Sequence, residues 1–175
     1  MDRETLLRRR VKVLLGFFMV GLVLSGLTAF PLPAELRWLT GVLGAAPDGR
    51  PEEYSGVLRW LVTVRDALQR TGAEYPFLAY GTDWLAFAHL VIAVAFLGPM
   101  RDPVRNGWVV TFGLIACAGV IPLALIAGSI RGIPIPWRLL DCSFGVLGAI
   151  PLYFARRAIL ELSGLAPGSF ARANR

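Results

Sequence analysis

Apolar residues dominate four stretches of the chain, approximately Val13 to Phe30, Leu78 to Pro99, Trp108 to Ile130 and Trp137 to Phe154, while polar residues gather between and outside them. A helix rising 1.5 Å per residue needs about 20 apolar residues to cross a hydrocarbon layer of about 30 Å, so each stretch predicts a transmembrane helix. The period-two alternation of a lipid-exposed barrel strand is absent from all four. In lipid that leaves helices, whose backbone groups are satisfied within the segment. The pattern therefore predicts an all-α, polytopic membrane protein, folded as one integral-membrane domain over residues 1–175.

The segment between the first two spans, residues 31–77, is long and carries two helical stripes. Leu36, Leu39, Val42 and Leu43 form one, and Tyr54, Val57, Leu58, Leu61, Val64 and Leu68 form the other at i, i+3, i+4 spacing. Asp48-Gly-Arg-Pro51 reads as the turn between them, with Pro51 at a helix start and Gly72 near its end. The expectation is an extracytoplasmic pair of amphipathic helices capping the bundle, with Trp38 and Trp60 at headgroup level. The connection Met100 to Asn106 is short, making the second and third spans antiparallel neighbours, with Pro103 as helix stop and Asp102 as a capping residue. Ser129 to Pro136 is equally tight, and Pro134 and Pro136 are expected to hold it extended before Trp137.

Composition agrees with a bilayer protein. The chain is 55% hydrophobic and only 17% charged, against about a quarter charged in soluble domains. The net charge of +6 could suggest nucleic acid, but the basic residues follow the spans. Arg3, Arg8, Arg9, Arg10 and Lys12 precede the first, Arg101 and Arg105 fall in a short turn, and Arg156, Arg157, Arg172 and Arg175 follow the last. By the positive-inside rule these regions are cytoplasmic, which puts both termini inside and removes the case for a nucleic-acid partner. The first apolar run is long and lacks a small-x-small cleavage site before Pro31, so it reads as a retained anchor.

The candidate chemistry lies in the outer half of the bundle that this topology implies. Asp83 falls about one turn into the second span and His89, the only histidine, near its middle. Arg131 stands at the mouth of the fourth span, with Arg138 and Asp141 in its first two turns. Ionisable groups in hydrocarbon are costly and face a partner, a cavity or a site. One reading is structural: two acids balance two arginines, Arg138 and Asp141 are three residues apart on one helix, and an Asp83–Arg138 pair would lock the second and fourth helices. The other is proton-linked or ligand-binding chemistry, since desolvation lowers a histidine pKa and raises that of an unpaired aspartate, so that the pair could exchange protons near neutral pH.

Asp83 and His89 are six residues apart and about 120° around the helix, so they do not share a face. No HxxxH, HExxH or CxxC spacing is present, so neither a metal nor a cofactor is expected. Cys117 and Cys142 read as small packing residues within apolar segments.

Three segments, Tyr80-Gly-Thr-Asp-Trp-Leu-Ala-Phe-Ala-His89, Gly98-Pro-Met-Arg-Asp-Pro-Val-Arg-Asn106 and Arg131-Gly-Ile-Pro-Ile-Pro-Trp-Arg-Leu-Leu-Asp-Cys-Ser-Phe-Gly145, resemble the pattern of a family of small four-helix bacterial inner-membrane proteins. The resemblance extends from Tyr75 to Arg157. It implies a bacterial inner-membrane location and carries no established activity. The expected function is that of a non-enzymatic accessory or scaffolding subunit, binding another membrane protein or a second copy through its cap and small-residue faces. The alternatives are a small proton-coupled transporter or ligand-binding protein using Asp83, His89, Arg131, Arg138 and Asp141, and an intramembrane enzyme with Asp141 or His89 as general base.

Overall fold

A computed structural model describes residues 2–165; Arg172 and Arg175, invoked above for topology, lie outside the described residues. Among the described residues every regular element is helical. In chain order these are α1 (Arg3–Ala29), α2 (Leu32–Val42), α3 (Gly56–Glu74), α4 (Ala79–Ala95), α5 (Leu97–Arg101), α6 (Gly107–Pro122), α7 (Gly128–Ile130) and α8 (Ile135–Leu165). Single 3₁₀ turns occupy Pro51–Glu53 and Pro76–Leu78, and a π turn occupies Leu123–Ala127. Four helical stretches are long and apolar enough to cross a membrane: Arg3–Ala29, Pro76–Arg101, Gly107–Ile130 and Ile135–Leu165.

The helices overrun the apolar segments that predict them. α1 starts at Arg3 rather than near Val13, and α8 continues to Leu165 rather than ending near Phe154. Hydropathy marks what hydrocarbon can cover, whereas helical hydrogen bonding continues wherever one face is buried. Leu7, Val11 and Leu15 form such a face on α1, and Ala155, Ala158, Ile159 and Leu162 on α8. At 1.5 Å per residue, the 31 residues of α8 extend about 46 Å, well beyond the hydrocarbon thickness. The start of α8 also differs from the extended connection predicted: Pro136 lies in its first turn, where a missing N–H costs nothing.

The fold divides into two compact units, Met1–Gly21 with Ile92–Arg175, and Leu22–Val91. In the first unit α6 and α8 pack antiparallel along their length. Gly107 meets Ile159, Gly113 meets Leu152, Gly145 and Gly148 meet Cys117, and Gly128 meets the Arg138 stem. A β-carbon on Gly145 would stand 2.5 Å from the Cys117 carbonyl oxygen. Backbone therefore approaches backbone there, as small residues permit between membrane helices. The first part of α1 runs antiparallel to α8. Arg3 pairs with Glu161 at 3.5 Å, the Arg10 guanidinium lies 5.7 Å from the Phe154 ring centre, and Phe18 packs against Gly148 and Phe96.

The short link after α5 is closed by its own polar groups. Asp102 accepts the Arg105 N–H at 3.1 Å, and the Asn106 amide donates to the carbonyls of Gly98 and Asp102. Asp102 thus satisfies the turn, while α6 begins after Asn106. Pro122 sits inside the third apolar stretch, where it has no N–H to give a preceding carbonyl, and the helix widens into the π turn directly after it. α7 ends in a Schellman cap: the Ile133 N–H reaches Gly128 O and the Gly132 N–H reaches Ser129 O, with Gly132 at φ +69°.

In the second unit α2 and α3 pack together across the loop of residues 43–55. α2 ends in the same kind of cap, with Gly44 at φ +89° and the Ala45 N–H bonded to Thr40 O. Their inward faces follow the predicted stripes in part: Leu36 and Leu61 are buried, and Leu39, Leu58, Val64 and Leu68 half-buried. α2 buries Leu36 and Thr40 and leaves Val42 and Leu43 exposed; α3 buries Leu61, Val62 and Arg65 and leaves Val57 exposed. The addition to the inward face of α3 is Arg65, a polar residue that no apolar periodicity would place inside. The start of α3 also shifts, because Pro51 opens the 3₁₀ turn and α3 begins at Gly56.

Candidate functional site

The five candidate residues divide between the two units. Asp83 and His89 lie on α4 in the second, and Arg131, Arg138 and Asp141 lie at the α7–α8 end of the first.

His89 is half-buried, and its Nδ1 lies 2.8 Å from the Leu85 carbonyl oxygen one turn earlier. A carbonyl cannot donate, so Nδ1 carries the hydrogen of this contact. The ring is thereby tied to its own helix. The backbone beside it is closely packed: a β-carbon on Gly26 of α1 would meet Ala86 O at 2.9 Å and the His89 β-carbon at 3.2 Å. Asp83 is half-buried on the same helix.

Arg131 is exposed and closes α7 through its backbone N–H to Ala127 O at 3.0 Å. Arg138 runs its apolar stem beneath Gly128 and directs one terminal nitrogen toward Leu125 O, at 3.4 Å, within the π turn. Its Nε is buried with no hydrogen-bond partner. Asp141 is half-buried on the next turn of α8 and does not pair with Arg138, so the i, i+3 spacing brings no ion pair. Instead, among the described residues the ion pairs of this unit join Arg3 to Glu161 and Arg8 to Glu4, at the other end of its helices. Cys117 is buried and Cys142 half-buried, both as free thiols in helix contacts.

The α2–α3 unit holds the best-satisfied polar centre of the described residues, and apolar patterning missed it. Arg65 is 2% exposed. Its guanidinium donates to Ala46 O at 3.0 Å and Gly49 O at 2.8 Å, and to Asp66 at 2.9 Å. Beside it the Tyr54 hydroxyl accepts the Ala46 N–H at 2.8 Å and fills the space against Gly49. The 46–50 turn is therefore held from α3 and from Tyr54. The sequence signal was an arginine interrupting the stripe one turn after Leu61.

The exposed surface of this unit shows the opposite character. Trp38 is 69% exposed and Val42, one turn on, 65% exposed. A shallow recess of about 330 Å³ beside Arg50, Glu52, Asp66 and Arg70 carries charges of both signs. Among the described residues no group of three or more metal-ligating side chains comes together. No protein-family model, curated protein or solved structure matches this chain.

Proposed function

We propose that this four-span chain is an accessory or scaffolding subunit without catalytic activity, which docks another membrane protein through the α2–α3 pair. The observation that carries the reading is the contrast within that pair. Arg65 and Tyr54 hold it in one shape, while Trp38 and Val42 present apolar surface outward. A binding element ordered beforehand loses little conformational entropy on docking, and an exposed Trp beside a polar rim is a common anchor.

The topology belongs to the same proposal: a bacterial inner membrane, both termini cytoplasmic, and α2–α3 on the outer side. In its support, the helix contacts of the first unit gather Arg8, Arg9, Arg10, Arg101, Arg105, Arg156 and Arg157 toward one end, in the sense of the positive-inside rule. The family suggested by the segments from Tyr80 to Gly145 would share this design.

Native mass spectrometry after mild detergent extraction from the source cells tests the reading. The expected result is a second polypeptide at fixed stoichiometry, lost by more than tenfold in a Trp38→Ala/Val42→Ser variant that elutes as a monodisperse species like the parent. A chain that emerges with no second polypeptide, or keeps it in that variant, would sink the docking role of α2–α3.

A second reading, proton-linked transport, is favoured by the buried, unpartnered Nε of Arg138 beside an Asp141 that does not pair with it. In vesicles loaded with a pH dye and given a pH gradient, it expects faster proton entry with the parent chain and a return to the empty-vesicle rate in Asp141→Asn. Equal rates for parent and empty vesicles would remove it.

A further inference from the structure

An apolar groove of about 450 Å³ lies between α6 and α8, walled by Leu114, Ala118 and Ile121 on one side and Ala149, Ile150 and Phe154 on the other. Its floor is the close approach of Gly145 to Cys117, where no side chain fits. One end is polar in a specific way. A turn beyond the lining residues, the Arg156 Nε donates to the Thr111 hydroxyl at 3.1 Å, spanning α8 to α6. That leaves the terminal nitrogens of Arg156 to donate elsewhere. Arg10 rests on the Phe154 ring, and Arg157 is exposed on the next position of α8.

Among the described residues no carboxylate of this unit lies at ion-pair distance from Arg10, Arg156 or Arg157: Glu161 pairs with Arg3, Glu4 with Arg8, and Asp102 accepts the Arg105 N–H. A slot with an almost wholly apolar lining thus leads to three guanidinium groups lacking a counter-charge. That is the shape of one amphiphile, an anionic phospholipid.

We propose that this groove binds an anionic phospholipid, one acyl chain lying between α6 and α8 and the phosphate held by Arg10, Arg156 and Arg157. Arginine forks match phosphate oxygens, and basic pockets between membrane helices at headgroup level take anionic lipids. An apolar helix of a partner or of a second copy would fill the slot but leave the three charges unanswered. The charge at the groove's end therefore selects the lipid. The proposal rests on α6 and α8 crossing a membrane and not on the scaffold reading.

Native mass spectrometry of delipidated protein titrated with phosphatidylglycerol or with phosphatidylcholine of the same chains tests it. The parent chain is expected to retain phosphatidylglycerol at least tenfold better than phosphatidylcholine. The exposed pair Arg10→Gln/Arg157→Gln should lose most of that preference, and Arg156→Gln added to it should abolish the remainder. Ala149→Trp, which fills the slot, should lower retention of both lipids, with Ile150→Trp as the substitute if it does not fold. Equal retention of the two lipids by the parent overturns the proposal without any variant. So does full phosphatidylglycerol retention in the arginine variants or in a folded slot-filling variant, or a second polypeptide that the slot-filling substitution displaces.

Discussion

Replacing Arg65 with alanine is expected to cost about 3–5 kcal/mol and to release the turn between α2 and α3. The guanidinium is nearly inaccessible and serves three acceptors, so truncation strands the Ala46 and Gly49 carbonyls and removes the partner of Asp66. Lysine at the same position should recover only part of the loss, because a single ammonium cannot reproduce a planar fork that reaches two carbonyls and a carboxylate together. Limited proteolysis of the detergent-solubilised protein should show new cleavage within residues 44–50 in Arg65→Ala, with a lower melting temperature by circular dichroism. A variant as protease-resistant and as heat-stable as the parent would mean that Arg65 does not hold the turn.

The second large effect concerns one substitution made at two glycines. Gly145→Ala puts a methyl group 2.5 Å from the Cys117 carbonyl oxygen, so α6 and α8 must separate. Overpacking of this kind costs about 1–3 kcal/mol and exceeds the helix propensity that alanine gains. Gly119→Ala, on α6, meets nothing within 4 Å and should be neutral or stabilising by up to about 1 kcal/mol. The measurement is the fraction of each variant surviving a heating series on size-exclusion chromatography. Gly145→Ala should aggregate at a lower temperature than the parent and Gly119→Ala at the same or a higher one. Identical curves would show that α6 and α8 do not approach as closely as described.

The four spans were legible because lipid imposes a crude requirement, about 20 apolar residues, which composition satisfies or does not. Helix ends were less so, since the requirement ends where hydrocarbon ends while α1 and α8 continue. The amphipathic stripes were incomplete for another reason. Periodicity assigns the inward face to apolar residues, and on α3 that face includes Arg65, whose charge is met by loop carbonyls distant in sequence. Of the candidate site, the identity of the ionisable residues was plain but their partners were not. His89 bonds its own helix, and Arg138 turns toward the carbonyl of Leu125, a contact that depends on the π turn after Pro122. The groove arises from which residues of α6 and α8 face each other, and the basic residues at its end read in sequence first as topology signals, with contact to anionic lipid headgroups as the lesser alternative.

The π turn also bears on how the length of this chain can vary. Leu123–Ala127 accommodates one residue more than an α-helix of the same rise, with Gly113 and Cys117 packed on α8 before it and Gly128 packed on Arg138 after it. Losing a residue elsewhere in α6 would rotate everything beyond it by about 100° and turn one of these glycine contacts away from its neighbour. Losing one here would convert the turn to regular helix and leave both contacts in phase. A single-residue deletion in the third span is therefore expected to preserve the α6–α8 packing when made within Leu123–Ala127 and to disrupt it when made between Gly113 and Cys117.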